Sequence, residues 1–149
     1  MKFLALCPCE RVIIDKYGVH SLINILQNVA IEPAPVPMQQ NTVVPRQWSI
    51  FSMWSASREE IGKKFEQVYQ IYWPDQEKFS EENFDFIADG PIQQVTLDLM
   101  GFPAGQPGDL RIVTWLFHEG HKVSDVVETS IHVTHIPRQT ASAVRTSTK

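Results

Sequence analysis

Between Pro91 and Gly101 the chain runs Ile92-Gln93-Gln94-Val95-Thr96-Leu97-Asp98-Leu99, in which Val95, Leu97 and Leu99 alternate with Gln94, Thr96 and Asp98. Successive side chains of a β-strand point to opposite faces, so this period of two describes a strand with one buried face and one wet face. Similar runs bounded by Gly, Pro, Asp and Asn recur along the chain. They predict strands at 3–15, 20–32, 47–55, 65–73, 83–88, 92–100, 110–118 and 123–136. The one helix candidate is the capping-box pattern Ser57-Arg58-Glu59-Glu60, which Gly62 limits to a turn or two.

The connections narrow the architecture. Asp15-Lys16-Tyr17-Gly18 is a hairpin loop that Gly18 closes, so the first two strands pair antiparallel. A two-residue turn at Glu119-Gly120 predicts a last hairpin in which Arg111 faces Glu128, Val113 faces Val126 and Trp115 faces Ser124. Glu32-Pro33-Ala34-Pro35-Val36-Pro37-Met38, continuing to Pro45, is too proline-rich to join a ladder and reads as a crossover between sheets. The expectation is an all-β fold, an antiparallel β-sandwich of about eight strands with an Ig-like or C2-like Greek key. One domain spans 1–136, and the polar segment 137–149 is expected to be a disordered tail.

Composition excludes some functions and leaves others open. A net charge of −4 carries no signature of nucleic-acid binding, and without the tail the balance is −7. The opening apolar run stops at Pro8, Glu10 and Arg11, too short for a signal peptide, and no run approaches the length of a membrane span. Two cysteines do not make a secreted disulfide framework, so a cytoplasmic location is expected.

Both cysteines lie in Cys7-Pro8-Cys9. On a strand their thiols share a face, about 6.6 Å apart at the Cα atoms, which is a poor disulfide geometry. They read as small apolar side chains, with Pro8 marking an edge or bulge where no ladder donor is needed. A metal site through Cys7, Cys9, His118 and His121 is the sharper alternative. Two histidines three apart on a strand, such as His132 and His135, point to opposite faces, whereas His118 and His121 flank the turn and can be cross-strand neighbours. Asp75, Glu77, Glu81, Glu82 and Asp85 are placed on a loop at 75–85 that lacks the regular spacing of a calcium loop. There is no G-x-S-x-G elbow, phosphate-binding loop or dinucleotide fingerprint, and no cofactor is expected.

Aromatic residues are the remaining candidates. Trp48 and Trp54 share a parity on one strand, with Phe51 and Met53 opposite. Phe65, Tyr69, Ile71 and Trp73 share a parity on the next, with Val68 and Tyr72 opposite. Such faces are either covered within the fold or by a second subunit, or they are platforms for sugars or proteins.

Leu4-Ala5-Leu6-Cys7, Arg11-Val12-Ile13-Ile14-Asp15, Gly18 and Ser21-Leu22-Ile23-Asn24-Ile25-Leu26 resemble a bacterial family of uncharacterised proteins catalogued as a domain of unknown function. The resemblance covers residues 3–32, implies a small bacterial β-sandwich, and carries over no activity or catalytic residue. The leading expectation is a non-enzymatic interaction module that binds a protein partner or forms a homo-oligomer through an apolar sheet face or strand edge. A carbohydrate-type binder using Trp48, Trp54, Tyr72 and Trp115 is the alternative, and the metal-binding protein is a third.

Overall fold

The computed structural model describes residues 1–32 and 38–137. Its strands are β1 (Lys2–Ile14), β2 (His20–Ile25), β3 (Asn28–Ile31), β4 (Val43–Ser55), β5 (Lys64–Tyr72), β6 (Lys78–Ile87), β7 (Ile92–Pro103), β8 (Gly108–His118), β9 (His121–Lys122) and β10 (Val127–His135). They form two sheets of a sandwich, ordered β2-β1-β4-β7 and β3-β10-β8-β5-β6, with β9 paired to β8. All of the expected tail at 137–149 but Pro137, and the prolines of 33–37, lie outside the described residues. β3 nevertheless ends in the second sheet and β4 begins in the first, so this connection changes sheets.

The period-two pattern decides which side chains meet. Trp48, Ile50 and Trp54 of β4 face the second sheet and are fully buried, as are Ile71 of β5, Leu110 and Ile112 of β8 and Ile131 of β10. Val95, Leu97 and Leu99 of β7 stand opposite Ser52, Ile50 and Trp48, so the apolar set of β7 also points inward. Within this apolar layer lies one polar knot. Gln67 Nε2 donates to Ser52 Oγ and to Thr114 Oγ1, both at 2.9 Å. Tyr69 OH donates to Ser52 Oγ at 2.8 Å, and Thr114 Oγ1 donates to the Val68 carbonyl at 2.7 Å. Burial pushes the Tyr69 phenol well above its usual range, so it stays a neutral donor.

Several expectations are corrected. The segment 20–32 is two strands, because Asn24 adopts a φ of 50° and Leu26 turns into the core, its N–H bonded to the Pro8 carbonyl at 2.8 Å. β3 then joins β10 in parallel, the one pair among the described residues that departs from an antiparallel sandwich. Pro8 sits where this departure ends the β1–β2 ladder, whose last pair is Cys9 with Ile25. Its carbonyl takes the Leu26 N–H while it has no N–H to return where the ladder ends, and the irregularity of β1 falls at Phe3/Ala5 instead.

The turn at Glu119 and Gly120 has φ of 50° and 78°, and His118 pairs with His121 as the turn requires. Beyond it the register slips by two residues, so Arg111 pairs with Ser130 and Val113 with Glu128. The cause is the break at 123–126, where Ser124 Oγ accepts the Leu116 N–H at 2.9 Å in place of a backbone carbonyl. A slip of two preserves the faces. Arg111 and Glu128 thus remain diagonal neighbours at 3.9 Å.

The acidic segment 75–85 is mostly strand rather than loop, because β6 begins at Lys78 and pairs along β5. The capping box is a single turn, in which the Glu60 carboxylate accepts the Ser57 N–H at 2.8 Å.

The polar knot yields a first test. Gln67→Leu strands buried partners on Ser52 and Thr114, so it is expected to cost about 1–3 kcal/mol in urea unfolding. Adding Ser52→Ala and Thr114→Val to that variant recovers a large part of the loss.

Candidate functional site

The two outer faces of the sandwich are not alike. On the outside of the first sheet, Ser49, Phe51 and Cys9 are buried although no third sheet covers them. The β1–β2 hairpin curls back over this face and brings the His20 ring 5.8 Å from that of Phe51. Cys7 and Cys9 stand opposite Phe51 and Ser49, on one face as expected. Burial raises the Cys9 pKa, which favours the thiol over the thiolate that metal binding or nucleophilic attack requires.

The described residues leave the outside of the second sheet open. Tyr72 of β5, Arg111, Val113, Trp115 and Phe117 of β8, Val126 just before β10 and Glu128 within it line a shallow groove of about 480 Å³. Their parity places them together: Tyr72 stands opposite Arg111, Gln70 opposite Val113 and Val68 opposite Trp115. Tyr72 and Trp115 are thus four residues apart along the ladder, about 13 Å.

Each aromatic is held by polar neighbours. Tyr72 OH donates to Gln70 Oε1 at 2.6 Å, and Gln70 Nε2 donates to Glu81 Oε2 at 2.6 Å. Lys78 Nζ donates to the same carboxylate at 2.7 Å, and the hydrogen bonds from Lys78 and Gln70 hold the Glu81 pKa below the usual carboxylate range. Arg111 Cζ lies 4.7 Å from the Tyr72 ring centroid, and Lys122 Nζ lies 5.8 Å from that of Trp115. Trp115 meets Phe117 edge to face, with centroids 6.5 Å apart. Arg111 Nε is screened from solvent without a hydrogen-bond partner, a donor left over in the groove wall.

The sequence candidates therefore divide. Tyr72 and Trp115 come together on the open face. Trp48 and Trp54 do not: both have no exposed surface, because their parity on β4 turns them toward the second sheet, and Trp48 Nε1 is bonded to the Gly101 carbonyl at 2.9 Å. They are core, not platform. Cys7 and Cys9 belong to the first sheet, while His118 and His121 close the β8–β9 turn in the second, so the four are not gathered. His118 packs on Phe65 at 5.1 Å, with its Nδ1 2.8 Å from the Lys64 carbonyl.

Among the described residues no three His, Cys, Asp or Glu side chains are placed to hold a metal ion, the acidic segment included. Nor is any helix of the described residues long and apolar enough to cross a membrane. Arg111, Gln70 and Phe117 were missed as site residues, although their odd or even spacing from Trp115 and Tyr72 was there to be read.

A larger hollow of about 660 Å³ opens between the start of β1 and residues 122–127, with Lys2, Lys122 and Asp125 in its wall. No ion pair joins these three groups in the described structure.

No family model and no curated protein matches the chain. Among solved structures it is similar to two of glycosyl hydrolase family 2 members from Bacteroides cellulosilyticus, one obtained from microfluidic crystals and one from strain DSM 14838. The TM-scores are 0.51 and 0.50 at 12% identity, over 66% of this chain. The matched region is 13% and 14% of those much longer chains, and likeness at this identity shows the fold alone. It agrees with the β-sandwich that the N-terminal resemblance implies.

The division between core and groove is measurable. Trp54→Ala is expected to destabilise the fold by about 3–5 kcal/mol, as for a fully buried aromatic. Trp115→Ala, on a half-buried outer position, is expected to cost about 1 kcal/mol. Denaturant unfolding of the two variants separates them.

Proposed function

We propose that this chain is a non-enzymatic β-sandwich module that binds a protein partner through the open face of β5, β8 and β10. The observation that carries this reading is the gathering of Tyr72, Arg111 and Trp115 on one face that the described residues leave uncovered. Trp, Tyr and Arg are the residue types that most often dominate binding energy at protein interfaces. Here they surround an apolar centre of Val113 and Phe117, with Gln70, Lys122 and Glu128 as a polar rim. Tyr72 and Arg111 are already braced by their neighbours, so less side-chain freedom is lost on binding. The two free thiols are compatible with a reducing cytoplasm, the compartment proposed.

A second reading is favoured by the fold. The similar structures are of glycosyl hydrolases, and a face with two aromatics about 13 Å apart, flanked by amide and charged groups, suits a short oligosaccharide as well as a peptide.

One set of variants separates the readings. Partner capture by the wild-type chain should weaken about 30-fold, or ~2 kcal/mol, in Trp115→Ala and in Arg111→Glu. An exposed substitution away from the groove, Glu59→Lys, should leave it unchanged. Capture that survives both groove variants removes the protein reading. Glycan-array binding lost in Tyr72→Ala and Trp115→Ala would establish the sugar reading in its place.

A further inference from the structure

The two long strands at the sheet ends differ in how they are protected. β6 carries Lys78, Glu81, Glu82 and Asp85, and Glu82 stands opposite Tyr69, so its charge lies on the inward side. An inward-pointing charge and a charged margin are the usual guards against pairing by another strand. β7 ends the first sheet, with no neighbour on its far side among the described residues. Over Ile92–Met100 it has one charge, Asp98, no proline and no lysine. Every second residue turns its N–H and C=O away from β4 into open space. Leu97 and Leu99 face inward yet stay half-exposed, because nothing flanks them beyond the edge.

We infer that β7 pairs antiparallel with β7 of a second copy of this chain, about a two-fold axis at Thr96, joining the two four-stranded sheets into one of eight. The sequence of the strand selects this occupant. With the axis at Thr96, Gln94 faces Asp98 and Ile92 faces Met100 on the outer side, while Val95 faces Leu97 and Gln93 faces Leu99 on the inner side. The amide of Gln94 can donate to the Asp98 carboxylate, whose Oδ1 already accepts from Ser49 at 2.6 Å. Ile92 and Met100, 46% and 78% exposed, cover each other at both ends of the joint. Thr96 meets its own copy. Its Oγ1 is buried without a hydrogen-bond partner among the described residues, and a turn about χ1 presents it to the other threonine.

Two other registers are worse. An axis at Asp98 opposes two carboxylates, and a one-residue slip sets the inner apolar set against the outer polar one. Gly101, with a φ of 90°, ends the regular stretch beyond Met100.

Sedimentation velocity of the full chain at tens of micromolar is expected to give twice the 17.0 kDa chain mass. Thr96→Lys places two ammonium groups opposite each other and is expected to return the mass to that of one chain, with the β-sheet circular dichroism unchanged. A monomer at every concentration overturns the inference, leaving the edge for a foreign strand at most. So does a dimer that Thr96→Lys does not weaken.

Thr96→Cys gives a register readout should the lysine variant fail to fold. Directly opposed residues lie within disulfide reach, so oxidation should give a covalent dimer above the wild-type background. Gln94→Cys, about 13 Å from its own copy, should not. Equal cross-linking of the two cysteine variants overturns the register. The groove variant Trp115→Ala must leave the dimer intact, so this inference and the partner-binding reading fail separately.

Discussion

The hydrogen-bonded knot of Ser52, Gln67, Tyr69 and Thr114 sets where the two sheets sit on each other. Apolar burial holds the sandwich together, but it is non-directional and tolerates sliding. A buried amide and three hydroxyl groups do not, because each would lose a partner and incur its full desolvation cost. Ser52 belongs to β4, whereas Gln67 and Tyr69 belong to β5 and Thr114 to β8. The knot therefore fixes β4 over the β5–β8 pair, and Trp48 and Trp54 fall to either side of it as the large apolar blocks of the core.

From that placement the difference between the outer faces follows. β4 is buried on both sides, inward by the second sheet and outward by the curled β1–β2 hairpin over Phe51. The outer side of β5 and β8 has no such cover among the described residues. Val68 and Val113, each 6% exposed, are shielded there by the larger side chains around them. Those side chains, Tyr72, Arg111, Trp115 and Phe117, are what a partner would meet. Covering one face with its own hairpin and leaving the other aromatic and open is an arrangement that stability of the monomer alone does not require.

Much of the fold was legible because a period of two is written residue by residue. The strand at 92–100 turned its apolar set inward as read, and Cys7 and Cys9 share a face. What was hidden depended on events outside any one strand. A β-rich run from 20 to 32 gives no sign that the chain will turn at Leu26 into the core and go on to the other sheet, since that choice is made by the core it joins. The slip in the last hairpin arises from Ser124 replacing a backbone acceptor.

The site was half legible for a related reason. Parity shows which aromatics share a face, but not which face the second sheet covers. Trp48 and Trp54 looked like Trp115 in sequence and differ only in what lies above them. The acidic run 75–85 read as loop because charges are rare in strands, and the place of its larger part in β6, at a sheet edge, explains them.

The open face and the open edge belong to different sheets, and their geometries combine. A two-fold axis that pairs a strand with its own copy, keeping like faces together, stands perpendicular to the sheet. Joining two copies through β7 therefore leaves both second sheets on the same side of the eight-stranded layer, with both aromatic grooves facing the same direction. A partner with repeated epitopes, whether a protein surface or an oligosaccharide array, would then engage two grooves at once. The second contact forms at the effective concentration set by the dimer rather than at that of free protein, so grooves of modest individual affinity suffice.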